Sequence, residues 1–460
     1  MSIDEKSSII NQKRDIFERE HYVSLMTACS IGDGIIRIDG EARNEALDLF
    51  REVAPRITFF IPASGSGSRM FKFLFDYTKD EIETDVVKKF FDNLDTFAFY
   101  QTIPINVRQK MSTLQSIYLA EYLLNKEGMN FTLLPKGLIP FHKVKGEIYN
   151  PFQEQVLQSK HLMSKGGEMH FTVQEGFEGM VRDSIESLGK YLHDDIQFSF
   201  SSQEKNTDAY CFNSDGSAFI ENNTQLRRPA GHGALIHNLN EIEADFILVK
   251  NIDNVQHFSK KEASNDTWEL ALGTLIKFKQ ELRAIVGNYS KEAIVALNSK
   301  YDFLSGMEMD AFDEARLSEL TSRPSRVCGM VKNEGALGGG PFWINDNGVV
   351  TKQIIEGVQI SGEEDQQAIL KLSSHFNPVF IALSKTDVND KPLDLMSFID
   401  PSKNLVVTRP HKGSEIMYRE LPGLWNGAMS DWNTIFLEIP VEVFSPVKTA
   451  NDLLKEAHRS

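Results

Sequence analysis

The segment with the clearest chemical potential is a glycine-serine loop that ends in an arginine. A β-branched and aromatic run beginning at Ile57 precedes it, as in a buried parallel strand, and apolar residues with helical spacing follow from Met70. An arrangement of strand, glycine loop and helix can bind an anion, because glycines let backbone N–H groups approach phosphate and the helix N-terminus adds a favourable dipole. Arg69 adds a forked donor for phosphate oxygens. The candidate phosphate-binding residues of this loop are Ser64, Gly65, Ser66, Gly67 and Ser68.

The same loop also has a purely structural interpretation, as a tight turn between a strand and a helix. It is not a Walker loop, because no Gly-Lys-Ser/Thr follows at the required spacing. The dinucleotide fingerprint needs a third glycine where Met70 stands. Taken alone, the loop leaves phosphate binding and a plain turn open.

Two lysines in constrained loops are candidates for further positive charge. Lys136 lies between a proline and a Gly-Leu-Ile-Pro turn, and Lys448 follows Pro446, which fixes the backbone before it. The alternative for Lys136 is a solvated loop lysine, which is the commoner case.

Polar residues follow two predicted strands. Gln203 ends an alternating strand that starts at Ile196, and Asp253 follows a buried strand that starts at Ala244. Ligands meet the carboxyl ends of strands in open α/β sheets, and an aspartate there suits a Mg²⁺ that also binds phosphate. The structural alternatives are a strand cap for Gln203 and an Asx turn for Asp253.

A second glycine-rich loop contains a histidine between two glycines, Gly231, His232 and Gly233, and follows the pair Arg227-Arg228. Tightly turning backbone keeps such a histidine accessible. This loop is therefore a second candidate site for an anionic ligand.

The elements that must position these residues alternate between helices and strands. The first 55 residues and residues 71–130 are predicted to be mostly helical, with apolar stripes that indicate core packing. Another strand is predicted over 169–173, and strands and tight turns dominate from Arg326 onward.

The composition of the chain excludes several classes of protein. The chain has 460 residues, of which 41% are hydrophobic, and a net charge of −16. The acidic charge argues against nucleic acid as a partner, and no apolar run is long enough to span a membrane. Three dispersed cysteines indicate neither disulfides nor a metal site. The polar N-terminus is not typical of a signal peptide, so we expect a cytoplasmic protein.

Taken together, the motifs resemble those of the nucleotide-sugar pyrophosphorylases, above all the UDP-glucose and UDP-N-acetylhexosamine branch. The chain also resembles an uncharacterised bacterial domain family within that group. The blocks that carry the resemblance are Pro-Ala-Ser-Gly-Ser-Gly-Ser-Arg69-Met, Leu-Pro-Lys136, Phe-Ser-Ser-Gln203, Pro-Ala-Gly-His232-Gly, Asn-Ile-Asp253-Asn and Phe-Ser-Pro-Val-Lys448-Thr-Ala-Asn-Asp-Leu-Leu.

The resemblance implies an α/β fold of the nucleotide-diphospho-sugar transferase type, which is Rossmann-like and of the GT-A class. Its mixed sheet would carry a helical insertion and a C-terminal α+β elaboration. The expected domains are an N-terminal helical arm over 1–55, a catalytic domain over 56–400 with the insertion at 71–130, and a segment over 401–460 that returns Lys448 to the site.

The implied activity is a Mg²⁺-dependent nucleotidyl transfer from a nucleoside triphosphate to a sugar-1-phosphate, giving a nucleotide-sugar and pyrophosphate. Arg69, Lys136 and Lys448 would be catalytic, and Asp253 would hold the metal. The glycine loop, Gln203 and Gly231–Gly233 would bind nucleotide, and Glu356 and Asn377 would contact the sugar. The alternatives are a glycosyltransferase on the same fold and a non-catalytic nucleotide-sugar binding protein. The base, the sugar and a homo-oligomeric state are left open.

Overall fold

The computed structural model describes residues 3–18, 22–109, 116–192, 195–333, 335 and 339–460. Its helices are α1 (Ile3–Phe17), α2 (Gly40–Val53), α3 (Lys72–Asp80), α4 (Asp85–Asp92), α5 (Ile105–Arg108), α6 (Ser116–Leu124), α7 (Pro151–Ser159), α8 (Glu178–Glu186), α9 (Leu235–Asn240), α10 (Lys261–Ile285), α11 (Lys291–Tyr301), α12 (Gly306–Asp310), α13 (Glu314–Thr321) and α14 (Glu364–Lys371).

The strands are β1 (Ser24–Ala28), β2 (Ser30–Ile31), β3 (Gly34–Ile36), β4 (Ile57–Pro62), β5 (His142–Val144), β6 (Glu147–Tyr149), β7 (Gly167–Thr172), β8 (Ile196–Ser201), β9 (Ala209–Tyr210), β10 (Ile220–Glu221), β11 (Thr224–Gln225), β12 (Arg227–Arg228), β13 (Phe246–Lys250), β14 (Ser325–Lys332), β15 (Gly340–Asp346), β16 (Val349–Ile355), β17 (His375–Phe376), β18 (Phe380–Ser384), β19 (Leu405–His411), β20 (Ser414–Glu420) and β21 (Asn433–Glu438).

The chain forms two compact units, each built from three separate stretches. Unit 1 consists of Met1–Val53, Gln203–Ile247 and Leu270–Ile439, and unit 2 of Ala54–Ser202, Leu248–Glu269 and Pro440–Ser460. The segments predicted from sequence, 1–55, 56–400 and 401–460, are instead consecutive. The difference arises because strands that are distant in the chain pair within one sheet.

Unit 2 contains a parallel sheet with the order β4-β7-β8. Ile57 pairs with Gly167 and Pro62 with Thr172, and β7 continues in parallel register with β8. The predicted buried parallel strand at Ile57 is confirmed, since β4 is buried over its first five residues. The glycine loop therefore begins where this strand ends.

The predicted helical insertion at 71–130 supplies most of the buried residues of one hydrophobic cluster of unit 2. Residues 110–115 lie outside the described part, and the rest forms α3 to α6 with short 3₁₀ turns. Met70 and Phe71 pack into this core, and so do Val447, Ala450 and Leu453 near the C-terminal end. The insertion thus holds the glycine loop and the C-terminal segment against the same apolar cluster.

Unit 1 contains a mixed sheet centred on the buried strand β14. This strand runs parallel to β21 and antiparallel to β18, and β21 continues in parallel to β3. A second, antiparallel sheet has the order β1-β15-β16. The predicted mixed α/β class is confirmed.

The sequence predicts a mostly helical N-terminal arm over 1–55, but residues 24–36 contain strands instead. These residues form β1, β2 and β3, of which β1 pairs with β15 and β3 with β21. These strands are stabilised by pairing with strands that lie roughly 300 to 400 residues later in the chain. Local periodicity of the sequence does not determine their conformation. Within the described residues, no helix is long and apolar enough to cross a membrane.

Candidate functional site

Four segments of unit 2 meet around the end of β4. Lys136 N donates to the Gly65 carbonyl at 2.9 Å, and Gly67 N donates to the Leu134 carbonyl at 2.9 Å. Ile252 N donates to the Pro62 carbonyl at 3.3 Å. The loop, the Pro-Lys136 turn and the Asp253 segment are therefore in direct backbone contact.

The C-terminal segment joins this group through three contacts. Val447 N donates to the Asp253 carbonyl at 3.2 Å, Ala450 N donates to the Met70 carbonyl at 3.1 Å, and Ser445 N donates to Asn254 Oδ1 at 2.9 Å. We call residues 64–69 with Lys136, Asp253 and Lys448 the phosphate cluster. Its members come from four stretches of sequence that the fold of unit 2 brings together.

Lys136 and Asp253 form the ion pair of this cluster. Lys136 Nζ lies 2.6 Å from Asp253 Oδ2, and the side chains are 14% and 23% exposed. Pro135 is the N-cap of the short 3₁₀ helix Lys136–Leu138, which fixes the lysine backbone. The two charges are thus held at the protein surface and remain accessible to a ligand.

Arg69 and Lys448 are exposed cations of the same cluster. Within the described residues, neither side chain makes a hydrogen bond or an ion pair. Lys448 is oriented through its backbone, since its N–H donates to Asp452 Oδ2 at 2.9 Å. Burial alone would raise the pKa of Asp452, but hydrogen bonds from Lys455 and Thr449 lower it, so the carboxylate stays charged.

The two loop glycines differ in their surroundings. A Cβ on Gly67 would lie 2.2 Å from the Phe131 carbonyl oxygen, whereas a Cβ on Gly65 would meet nothing within 4 Å. Ser66 Oγ and Ser68 Oγ lie 2.7 Å apart. Gly67 is therefore needed for packing, while the backbone at Gly65 is open to approach by a ligand.

Helix α3 starts at Lys72 rather than at Met70, because residues 67–71 form a turn in which Phe71 N donates to the Gly67 carbonyl. The dipole of this helix is thus two residues further from the loop than the sequence predicts. Backbone N–H groups of the loop itself remain as donors: those of Gly65, Ser66 and Ser68 have no partner in the described residues.

The second glycine loop lies in unit 1 and holds a histidine cluster of His232, Glu356, Glu420 and Trp425. The His232 ring stacks on Trp425 with 4.0 Å between centroids. His232 Nδ1 accepts from Leu424 N at 3.1 Å, and Nε2 lies 3.4 Å from Glu356 Oε1. Glu356, predicted from sequence, is therefore in contact with His232.

The carboxylates of this cluster have opposite pKa shifts. Burial alone would raise the pKa of Glu356, but hydrogen bonds with His232 and Trp425 and the charge of His232 lower it. Burial raises the pKa of Glu420, and the nearby charge of Glu356 adds to this rise. Sequence reasoning missed Glu420 and Trp425, although Trp425 lies in a conspicuous Leu-Pro-Gly-Leu-Trp-Asn-Gly run.

Backbone geometry explains both glycines of this loop. Gly231 has φ of 75°, and a Cβ there would lie 2.5 Å from Glu420 Oε2. A Cβ on Gly233 would lie 2.2 Å from the Pro422 carbonyl oxygen. The loop is thus packed tightly against residues 420–422, which accounts for the glycines without a ligand.

The remaining predicted residues of unit 1 have different surroundings. Asn377 is 5% exposed; its Nδ2 donates to the Gly329 carbonyl, and its Oδ1 accepts from Val379 N. Those bonds satisfy the amide within the fold. Gln203 has a buried Nε2 without a hydrogen-bond partner in the described residues, so a donor is available there. The sugar-binding role of Asn377 and the nucleotide-binding role of Gln203 stay predictions.

A metal ion would find one suitable carboxylate in the phosphate cluster. Asp253 Oδ2 accepts from Lys136, and Oδ1 has no partner among the described residues. The described residues contain no group of three or more His, Cys, Asp or Glu side chains that could hold a metal. One free carboxylate oxygen fits a Mg²⁺ that takes its other ligands from phosphate and water.

These features define an α/β protein whose phosphate cluster combines a glycine-containing loop with cationic side chains. The model of the family DUF4301, described as a domain of unknown function, matches residues 2–459, and the chain belongs to this family. The prediction of an uncharacterised domain family is confirmed. No curated protein matches the sequence.

Several solved structures are similar to this chain. A mutant of UDP-glucose pyrophosphorylase from Leishmania major has 12% identity and a TM-score of 0.46, covering 100% of this chain and 74% of that one. UDP-glucose phosphorylase from Trypanosoma brucei has 10% identity and a TM-score of 0.45, covering 98% and 73%. A protein from Entamoeba histolytica assigned as a UDP-N-acetylglucosamine pyrophosphorylase has 11% identity and a TM-score of 0.43, covering 91% and 81%.

Proposed function

We propose that the protein is a Mg²⁺-dependent nucleotidyltransferase that makes a nucleotide-sugar and pyrophosphate from a nucleoside triphosphate and a sugar-1-phosphate. The observation that carries this proposal is the contact between the glycine loop, Lys136, Asp253 and the Lys448 segment within unit 2. Each matches a motif of the pyrophosphorylases, and in this proposal their three cations and one carboxylate act as one phosphate-binding site.

The reaction brings two anions together, so neutralisation and alignment are the main tasks of the protein. A phosphate oxygen of the sugar-1-phosphate attacks the α-phosphorus. A new P–O bond forms, the bond to the bridging β-phosphate oxygen breaks, and its electron pair leaves with pyrophosphate. In this proposal Arg69 and Lys136 neutralise the triphosphate and the leaving pyrophosphate, and Lys448 draws the attacking phosphate into line. No covalent nucleophile is required.

Asp253 is the proposed ligand for Mg²⁺, which would supply charge neutralisation on the phosphate oxygens. Lys136 already contacts the same carboxylate at 2.6 Å, so its ammonium lies beside any phosphate bound there. The open backbone at Gly65 and the free N–H groups of the loop supply further donors for phosphate oxygens.

The experiment is a pyrophosphate-release assay with the full chain, across nucleoside triphosphates and sugar-1-phosphates, with and without MgCl₂. We expect release with one pair of substrates, and only with Mg²⁺. Release that needs no sugar phosphate would contradict the proposal. So would tight nucleotide-sugar binding without turnover, which indicates a binding protein, or release of a nucleoside diphosphate from a nucleotide-sugar, which indicates a glycosyltransferase.

A further inference from the structure

Unit 2 contains two buried histidines in direct contact, His142 of β5 and His458 of the C-terminal segment, which we call the C-terminal histidine pair. His142 Nε2 lies 2.9 Å from His458 Nδ1, and the two rings stack with 5.2 Å between their centroids. The residues are only 1% and 5% exposed. Neither belongs to the phosphate cluster, but His458 lies in the same segment of unit 2 as Lys448.

Glu154 of α7 fixes the positions of the protons on this pair. Its Oε1 lies 3.0 Å from His142 Nδ1, and its Oε2 accepts from Gln158 Nε2 at 2.6 Å. Because a carboxylate only accepts hydrogen bonds, the proton of this contact is on His142 Nδ1. The Nε2 atom of the neutral His142 ring is then an acceptor, and His458 Nδ1 donates to it. Two neutral histidines therefore satisfy all of these bonds.

The position left for a further proton is His458 Nε2. This atom is buried and makes no hydrogen bond within the described residues, so a proton there would be a buried donor without a partner, which is unfavourable. Burial and the charge of His142 lower the pKa of His458 to about 3, and Lys455 lowers it further, whereas Asp452 and the backbone of Ser445 oppose this shift less strongly. The pair thus stays neutral while the segment is packed in place.

The charged groups packed against the pair do not favour a further positive charge. Glu154 is already shared between His142 and Gln158. The ring of His257 lies edge-on to His142, and its nitrogens contact the Lys143 carbonyl and Ser259 Oγ at 3.2 and 2.8 Å. The other charged side chains nearby are mainly cationic: Lys250 near Glu154, Asp452 and Lys455 near His458, and Lys143 and Arg459 at a cavity that His257 and His458 also line.

The same segment is attached to unit 2 on both sides of Lys448. Before it, Val447 N donates to the Asp253 carbonyl. Close to His458, the Ala457 carbonyl accepts from His257 N at 2.9 Å, and the Glu456 carbonyl accepts from Lys260 Nζ at 2.6 Å. Loss of the histidine contact would therefore loosen a segment that carries Lys448 into the phosphate cluster.

We infer that the C-terminal histidine pair is a pH-sensitive contact that holds the segment carrying Lys448, and that protonation of His458 in mildly acidic solution favours release of this segment. Release is a local unfolding step, in which a few buried contacts open while the rest of the unit stays folded. The inference concerns the packing of unit 2 and does not depend on the proposed transferase function.

The direction of the effect follows from proton linkage. The pKa of His458 in the packed segment lies below the value of about 6.5 for a solvated histidine. The released segment therefore binds a proton that the packed segment does not. The stabilisation by the neutral pair is complete above pH 6.5 and is lost progressively as the pH falls towards the packed-state value.

Amide hydrogen exchange of the full chain, read by mass spectrometry between pH 7.5 and pH 5 and corrected for intrinsic exchange rates, tests this inference. Peptides over 444–454 report on the segment, because Val447 and Ala450 donate to backbone carbonyls outside it. Uptake of one proton predicts that their protection falls about thirtyfold from pH 7.5 to pH 5. Peptides over 167–172, from β7, should change less than threefold.

His458→Asn retains a side-chain N–H near the position of Nδ1 but cannot be protonated in this range. We expect the protection of peptides over 444–454 in this variant to be independent of pH. His161→Gln is the matched control, because His161 Nε2 also contacts a glutamate, Glu269, at 2.7 Å, but the side chain is 64% exposed. This control should keep the pH dependence of the wild type.

A second measurement needs no variant. Exchange of the imidazole C2 hydrogens in the wild type reports the protonation of each histidine, and His458 should remain neutral at pH 5 as long as the segment is packed. The inference is overturned if peptides over 444–454 are equally protected at both pH values, if β7 loses protection to the same extent, or if His458→Asn keeps the wild-type pH dependence. Titration of His458 near pH 6.5 with the segment still protected would overturn it as well.

Discussion

Lys136 Nζ lies 2.6 Å from Asp253 Oδ2, although 117 residues separate the two in the chain. The side chains are only 14% and 23% exposed, so the charge-assisted hydrogen bond between them can also contribute about 1.5–3 kcal/mol to folding. Its position beside the glycine loop gives it a different use, because one partner can contact a phosphate while the other contacts a cation. Changes at this pair should therefore affect ligand binding and turnover more than unfolding.

Asp253→Asn removes the proposed metal ligand and leaves Lys136 without its charged partner. We expect kcat for pyrophosphate release to fall about 100-fold, while the free energy of unfolding falls by about 1–2 kcal/mol, because Asn keeps an acceptor for Lys136. Steady-state kinetics over a range of MgCl₂ concentrations and urea unfolding measure the two effects. The control is Asp92→Asn, since Asp92 is likewise a carboxylate paired with a lysine but is exposed and lies in α4. An unchanged kcat in Asp253→Asn would contradict the assigned role.

Lys448→Ala tests the exposed cation of the C-terminal segment. The free energy of unfolding should stay within about 0.5 kcal/mol of the wild type, since the side chain is exposed. The proposed alignment of phosphate predicts a loss of kcat/KM of about 100-fold. Lys165→Ala is the control, because Lys165 is exposed just before β7, at the strand end away from the loop. Equal kinetics for the two variants would remove Lys448 from the mechanism.

The two glycines of the loop should respond differently to the same substitution. Gly67→Ala brings a methyl group against the Phe131 carbonyl and should lower the free energy of unfolding by about 1–3 kcal/mol. Gly65→Ala meets open space, so we expect normal stability with weaker nucleoside triphosphate binding. Urea unfolding and calorimetric titration of the triphosphate separate the effects. Unchanged affinity in Gly65→Ala would show that phosphate does not approach this backbone.

The His232–Glu356 pair predicts a pH-dependent contribution to stability. The pKa of Glu356 is lowered in the folded state, so its contribution is present above the unfolded pKa of about 4.3 and is lost as pH falls through the folded value. We expect Glu356→Gln to lower the free energy of unfolding by about 1 kcal/mol near pH 6, and the difference from wild type to vanish near pH 3. Urea unfolding across this range is the measurement, and a difference independent of pH would refute the interpretation.

Local patterns predicted the central strands well. The run beginning at Ile57 becomes β4, because dense β-branched and aromatic residues mark a buried parallel strand. The run beginning at Ile196 becomes β8, because its alternating polar and apolar residues mark a partly exposed strand. The strands at 24–36 carry no such signal. They are short, and their conformation depends on pairing with β15 and β21 from distant parts of the chain.

Contacts between side chains of distant segments were harder to predict from the sequence than the positions of the candidate loops. The sequence indicates Lys136 and Asp253 separately, but their contact depends on the fold of unit 2. Glu420 and Trp425 surround His232 from a segment almost two hundred residues away, and nothing in their local spacing indicates this.

The apolar core shared by the insertion and the C-terminal segment has a consequence for biosynthesis. Val447, Ala450 and Leu453 fill space beside Met70 and Phe71, so this core stays incomplete until those three residues have left the ribosome. The nascent chain must carry an exposed apolar surface from the synthesis of Met70 and Phe71 until that of Leu453. Unit 2 can therefore reach its final packing only after Leu453 has been synthesised.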